Sequence, residues 1–241
     1  MGELWTCHLG RVDYREAVAL QERLRERVQA GELPDLLLLL EHPPVYTTGR
    51  RSEPGELPAT DAIDVVETDR GGKLTYHGPG QLVGYPIMHV PNVRAFVETM
   101  ERALVAAIGA AGVDAHVRDG REYTGVWVED RKIASIGIHV AKGVTTHGFA
   151  VNVQNDLQPF EWVVPCGLSN VRMTSVMKET QRGGELIPCF RKRAAHRFAE
   201  AHGRRQRLVS RDRVLGAEVD GRRHRQQGDA VAAVRGLVAQ R

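Results

Sequence analysis

Apolar positions along the chain recur at two periods. In residues 14–30, Ala17, Leu20, Leu24 and Val28 return every three or four residues, the spacing of one helix face. Asp13 stands where a cap is needed and Gly31 just past the end. Residues 35–41 carry LLLLL, a run of strand length that suits burial on both faces. HPPVYTTGRRSEPGELP (42–58) reads as a loop, its Pro43–Pro44 favouring extended backbone. Residues 64–69 and 81–90 read as strands. Asn92 can cap a helix to about 111 that carries Phe96, Val97, Met100, Leu104 and Ile108 on one face. Strands over 125–129, 132–140 and 144–153 follow, joined by the hairpin-length turns EDR and AKG. After a loop with Pro159 and Pro165, Pro188 opens a last helix to about 202, closed by Gly203. Beyond 204 only short weak strands or a tail are expected. The order predicts an α+β fold: a mixed, mostly antiparallel sheet with two or three helices packed on it.

Composition adds location and charge. No apolar run approaches the roughly 20 residues of a membrane helix. The N-terminus lacks a signal-like apolar stretch. The three cysteines, Cys7, Cys166 and Cys189, suit a reducing compartment, so a cytoplasmic protein is expected. Charge is uneven. Residues 191–241 hold fourteen Lys/Arg and five Asp/Glu, against a net −6 in residues 1–190. Phe198 is the one aromatic in that basic segment, which argues against a nucleic-acid partner that stacks on bases.

RGGKLTYHGPGQLVGYP (70–86) holds five glycines and two prolines between strand-like segments. Glycine weakens a strand and often marks a close approach of ligand or backbone. The stretch has neither of the phosphate-cradling glycine spacings, and a strand follows it rather than a helix. His and Cys show no metal-ligand spacing. Cys166 lies between proline and glycine in VPCGLSN (164–170), where an accessible thiol could serve as nucleophile, although most free cysteines are small buried hydrophobes. Such a nucleophile needs a partner for its thiolate. His77 is suggestive for its glycine neighbours. Lys132 is another candidate, because plain strand alternation puts it on the face of Ala134, Ile136 and Ile138. A strand-edge lysine that discourages aggregation is the ordinary alternative.

RGGKLTYHGPGQ (70–81), KIASIGIHV (132–140), HGFAVNV (147–153) and VPCGLSN (164–170) together resemble the octanoyltransferase family, also called lipoyl/octanoyl transferase or lipoate-protein ligase B. EHPPVYTTGR (41–50) is similar to the family's segment ahead of the first motif, and the likeness spans roughly residues 5–190. The resemblance implies a fold shared with biotin and lipoate protein ligases. It implies transfer of an octanoyl group from octanoyl-acyl carrier protein to a lysine of a lipoyl domain, with no ATP or metal. Acceptors would be the lipoyl domains of 2-oxoacid dehydrogenase complexes and the glycine cleavage H protein. Cys166 would carry the acyl group as a thioester and Lys132 would stabilise its thiolate. Substrate contacts would fall on Arg70, Gly71, Gly72, Lys73, Leu74, Thr75, Tyr76 and His77, on Ser135, Ile136 and Gly137, and on Gly148, Phe149 and Ala150. Gly71, Gly72, Gly78, Gly80, Gly137 and Gly148 would clear a channel for the acyl chain.

Three features depart from the pattern: Thr48 where a larger apolar residue is expected, the run LSNVRMTSV, and residues 204–241. The catalytic domain is therefore expected over 1–203, with 204–241 a flexible or loosely docked basic tail that steers acidic partners. An ATP-dependent lipoate ligase, an amidotransferase between lipoyl-carrying proteins, and a non-catalytic acyl- or nucleic-acid-binding module are the other readings.

Overall fold

The computed structural model of the protein describes residues 2–53, 55, 62–163 and 171–215. Its strands are β1 (Glu3–Arg11), β2 (Leu36–Glu41), β3 (Val45–Thr48), β4 (Val65–Glu67), β5 (Thr75–His77), β6 (Gln81–Ile87), β7 (Gly125–Val128), β8 (Arg131–Ala141), β9 (Val144–Asn152) and β10 (Arg205–Val209). Its helices are α1 (Tyr14–Gln29), α2 (Val93–Gly109), α3 (Val176–Thr180), α4 (Ile187–Ala201) and α5 (Arg211–Leu215). Seven strands form one sheet in the order β10-β1-β2-β6-β9-β8-β7, and β4-β3-β5 form a small second sheet. In the large sheet only β1 pairs in parallel, with β10 and β2; the other ladders are antiparallel.

Strand β2 shows how the layers arise. Leu37 and Leu39 of β2 enter the core beneath α2 and α4, while Leu36, Leu38 and Leu40 enter the core beneath α1. A period-2 backbone thus turns an unbroken leucine run into two apolar faces. The helices start where their caps predict: Asp13 accepts from the N–H groups of Arg15 (2.8 Å) and Glu16 (3.2 Å), and Asn92 from that of Ala95 (3.0 Å).

Three strands, β1, β3 and β5, were not expected, and a fourth, β10, is a short strand of the kind allowed beyond 204. β3 lies inside the proline-rich 42–58 and β5 inside the glycine-rich 70–80. In β1, the buried positions include Thr6, whose hydroxyl hides the apolar pattern. β10, RQRLV, is a largely exposed edge strand with little apolar signal. It pairs with β1 from Glu3↔Arg205 to Cys7↔Val209, and Val214 of α5 is fully buried. The expected tail is thereby corrected: residues 204–215 belong to the main sheet and its packing. The rest of that segment, 216–241, lies outside the described residues.

Candidate active site

Strand alternation alone would have put Lys132 on the face of Ala134, Ile136 and Ile138. The β7–β8 register slips between Val126 and Trp127, so that Trp127 pairs with Lys132 but Val126 with Ala134. The extra residue is Ile133, and such a bulge reverses the parity of everything beyond it. Ile133 and Ala134 both enter the core beneath α2 and α4, with Ile136 and Ile138 packed against it. Lys132 turns to the opposite face, with Ser135 and Gly137, and borders a cavity of about 150 Å3.

Lys132 is 2 % exposed, and its ammonium lies 5.3 Å from the centre of the buried Trp127 ring. Gly125 makes its seat. A Cβ there would stand 2.8 Å from Lys132 Cε and 3.4 Å from Nζ, and would also meet the Ala134 carbonyl. Gly125 has φ +135°, which glycine tolerates best. The Gly125 N–H donates to Glu101 of α2 at 2.8 Å, whose carboxyl is pushed up by burial. The Lys132 backbone is tied to the segment that follows Cys166: its N–H donates to Arg172 (2.9 Å), and its carbonyl accepts from Thr174 (3.0 Å).

The cavity floor is the α1 face of β8, β9 and β6. Ser135, Ala150 and Val83 form one row across three strands, through the pairs Ser135↔Ala150 and Val83↔Ala150. Gly137 and Gly148, paired across β8 and β9, also line it, as does Tyr85. Arg70, Gly72, Lys73, Thr75 and His77 close it from the other side. Ile136 and Phe149 border it too, although their side chains belong to the core beneath α2 and α4. Three expected contacts point elsewhere. Leu74 and Tyr76 alternate with Thr75 and His77 along β5 and pack with Tyr46, Phe160 and Met173 in a separate cluster. Gly71 faces a neighbouring groove. Cys166 lies outside the described residues.

The glycines do something different from what the sequence suggested. A Cβ on Gly137 would sit 2.5 Å from the Gly71 carbonyl oxygen, and Gly71 N–H donates to Ile138 at 3.0 Å. Their absent side chains let the 70–73 loop lie directly on β8. Gly148 likewise admits the Gly84 carbonyl, Gly78 the Tyr76 ring, and Gly80 the backbone at 154–155. Of these, Gly71 and Gly137 bring the roof loop against β8, while the others permit close approaches elsewhere; the clear floor comes from Ser135 and Ala150 as much as from Gly137 and Gly148. Arg70 fastens the roof, with Nη2 donating to the Thr47 carbonyl (2.6 Å) and hydroxyl (2.8 Å), and Nη1 to the Gly71 carbonyl (3.1 Å).

Beneath one end of the cavity lies a buried polar network that the sequence did not reveal, except for His77. His42 donates from Nδ1 to the Val12 carbonyl (2.7 Å) and accepts at Nε2 from the Tyr85 hydroxyl (2.7 Å). His77 donates from Nδ1 to Gln81 (2.7 Å) and stacks on Tyr14. Burial pushes His42 down to about 4, His77 well below its usual value, and Tyr85 well above it. These groups are neutral at pH 7. His147 donates from Nε2 to Asp69 at 2.8 Å, and that bond is the main reason the Asp69 carboxyl falls to about 2. Tyr85 and Val83 could have been found from alternation within 81–90; Tyr14 and His147 carried no such signal.

Of the other cysteines, Cys7 is fully buried and its thiol is pushed up to about 11 by burial, which leaves it unreactive. Cys189 is exposed on α4. Among the described residues no group of three or more His, Cys, Asp or Glu is placed to hold a metal.

Residues 13–195 match the family of the lipoyl protein ligase A/B catalytic domain. An octanoyltransferase of Thermobifida fusca (strain YX) is 46 % identical over 183 residues, covering 71 % of this chain and 77 % of that protein. One of Mycobacterium leprae (strain TN) is 48 % identical over 185 residues, covering 72 % and 77 %. The chain belongs to the octanoyltransferase family. Among solved structures, a lipoate-protein ligase A bound with ATP superposes with a TM-score of 0.68 at 19 % identity, covering 87 % of this chain and 90 % of that one. P. falciparum LipL1 in complex with lipoate gives 0.66 at 12 % identity, covering 88 % and 67 %. At such identities the likeness concerns the fold alone. The octanoyltransferase family is thus built here on the lipoate-ligase fold that the sequence motifs implied.

Proposed function

We propose that the protein transfers an octanoyl group from octanoyl-acyl carrier protein to the target lysine of a lipoyl domain, through a thioester on Cys166. One observation carries this reading. Lys132, a buried amine, faces a cavity floored by small side chains, and its backbone is bonded to the segment that follows Cys166. A buried lysine needs a task or a charge partner, and a cysteine thiolate is both.

The steps follow. The Cys166 thiolate attacks the carrier thioester carbonyl, a new C–S bond forms, the old one breaks, and the departing carrier thiolate takes a proton from the Lys132 ammonium and leaves as its free thiol. The acceptor amine then attacks the Cys166 thioester; its nitrogen takes the acyl group, the Cys166 thiolate is released, and the surplus proton of the acceptor nitrogen passes to the neutral Lys132, which restores the thiolate–ammonium pair. Backbone N–H groups near the cavity would stabilise the oxyanion in each step. An eight-carbon chain buried at about 0.8 kcal/mol per methylene contributes roughly 5 kcal/mol, enough for binding and for choice of chain length. A thioester is already activated, so the reaction needs neither ATP nor metal. No described helix is long and apolar enough to cross a membrane.

Intact-protein mass spectrometry after mixing with octanoyl-acyl carrier protein, without ATP, tests the proposal. A gain of one octanoyl group that Cys166→Ala lacks is expected. No gain, with acylation appearing once ATP and free acid are supplied, would place the protein among the ligases instead.

A further inference from the structure

Beside the acyl cavity a larger groove of about 920 Å3 runs along the outer edge of β8 toward α2. It exists because β7 stops short: β7 covers only Arg131–Ser135 of β8, and residues 136–141 extend past it. Arg51, Gly72, Arg121, Thr124, Ile136 and Gly137 border both hollows, so the groove opens into the cavity. Its apolar parts include Val93 and Val117, exposed at 46 % and 45 %, two of the few large apolar side chains on the described surface.

The rim is rich in arginine. Arg94 and Arg102 come from α2, Arg118 from the following loop, and Arg51 and Arg121 stand at the junction with the cavity. Three acidic groups line the groove against these five arginines: Glu98 is paired with Arg94, Glu101 accepts from Gly125, and Asp119 is exposed in the loop between Arg118 and Arg121. Arg118 is held on the rings of Tyr123 and Trp127. The guanidinium groups of Arg51 and Arg121 are exposed and take no ion pair or hydrogen bond among the described residues.

We propose that this groove, and not the basic C-terminal segment, docks the acyl donor as an acidic carrier protein, with the phosphodiester-linked arm of its thioester lying along the trough and its phosphate between Arg51 and Arg121. The inference rests on the carrier-thioester reading above and specifies its donor. Two arguments select the donor over the acceptor. A trough leading into the cavity suits a long, linear, thioester-tipped arm. An arginine-lined entrance attracts a phosphodiester and repels the ammonium of an acceptor lysine. The basic strand β10 lies at the opposite end of the seven-stranded sheet from β7, far from the cavity mouth, and its Arg205 and Arg207 are already paired with Glu3.

The test compares two double charge reversals in the full-length enzyme, Arg94→Glu/Arg102→Glu at the groove and Arg205→Glu/Arg207→Glu on β10, each with two octanoyl donors. One donor is octanoyl-acyl carrier protein; the other is octanoyl-pantetheine, which has neither protein nor phosphate. The groove variant is expected to raise KM for the carrier-protein donor by about tenfold or more, in a salt-dependent way, with kcat within about twofold. Its kinetics with octanoyl-pantetheine should match those of the unaltered enzyme, and the β10 variant should match it with both donors. An unchanged carrier-protein KM in the groove variant would overturn the proposal, as would equal loss with both donors. So would a rise confined to the KM of the lipoyl-domain acceptor, which would assign the groove to the acceptor. An unaltered enzyme that takes octanoyl groups from neither donor would overturn the parent reading, and the docking with it; a groove defect alone leaves that reading standing.

Discussion

The two faces of the seven-stranded sheet are built to different ends. Under α2 and α4 the strands present Leu37, Leu39, Leu82, Phe149 and Val151 to Phe190 and Phe198, an apolar core of large side chains. Under α1 and the 70–80 loop, the same strands present Ser135, Gly137, Gly148, Ala150 and Tyr85, with neutral histidines and a buried lysine around them. One face is packed with apolar side chains throughout; the other has its own apolar core beneath α1 but is left hollow and polar where β6, β9 and β8 meet the 70–80 loop. A half-buried antiparallel sheet can be hydrophobic on one face and carry chemistry on the other because alternate side chains never share a face. The exception is the bulge at Ile133, which moves Lys132 from the first face to the second.

The sharpest way to break this comparison is one substitution on each face. Lys132→Ala should lower octanoyl transfer by about 10²- to 10⁴-fold, the usual loss for a proton-handling group, while leaving the urea midpoint nearly unchanged. Phe198→Ala should do the reverse, costing about 3–5 kcal/mol of stability as a buried aromatic is removed, with activity per folded molecule retained. If Phe198→Ala lost activity out of proportion to the folded fraction, the two faces would not be separable.

Next in size is the roof. Gly137→Val would press against the Gly71 carbonyl and lift the 70–73 loop from β8. A displacement of about 1 Å at a site can cost about 10²-fold in rate, and a loss of that order in kcat/KM is expected, with a change in thermal midpoint of only a few degrees. Wild-type kinetics in Gly137→Val would show that the loop is not held by that contact.

The hollow face should also be acid-sensitive, as should the α2/α4 side, where burial lowers His202 to about 4. His42 is buried neutral, with its value lowered to about 4 from an unfolded value near 6.5. Between those limits the unfolded chain binds the extra proton and the folded one does not. Stability is therefore full above about pH 6.5 and falls as pH drops toward 4, by on the order of 3 kcal/mol from this residue. Urea midpoints at pH 7 and pH 4.5 should show the decline, and His42→Gln should flatten part of it. A pH-independent midpoint would mean that His42 is solvated in the folded state.

Much of this was legible in the sequence because its causes are local. Asp13 and Asn92 start helices by accepting N–H groups a few residues away, and the leucines of β2 alternate regardless of what covers them. The motifs also gathered neighbours in space: Lys132, Ser135, Gly137 and Ala150 converge on one cavity. What sequence could not supply was non-local. The bulge that redirects Lys132 depends on register with β7. The role of Gly137 depends on a loop more than sixty residues earlier. β10 is a strand only because β1 offers it an edge, and RQRLV carries no pattern that announces it. Leu74 and Tyr76 were assigned to the site as part of a contiguous motif, and the period-2 geometry of β5 sends them to the other side.

The smallest expected effect tests how far the hollow face depends on charge. Asp69 accepts from His147 at 2.8 Å, and its carboxyl is lowered to about 2 from 3.8. A group lowered in this way stabilises the fold above its unfolded value, and the contribution disappears as pH falls from about 4 to 2. Asp69 is half-exposed, so solvent screens the pair, and its worth should stay in the range of exposed ion pairs, under about 1 kcal/mol. Asp69→Asn should lower the urea midpoint slightly at pH 6, with the difference from wild type closing by pH 2. A loss above about 2 kcal/mol would mean that Asp69 and His147 act as a buried pair, and that charge as well as neutral hydrogen bonding holds the polar face together.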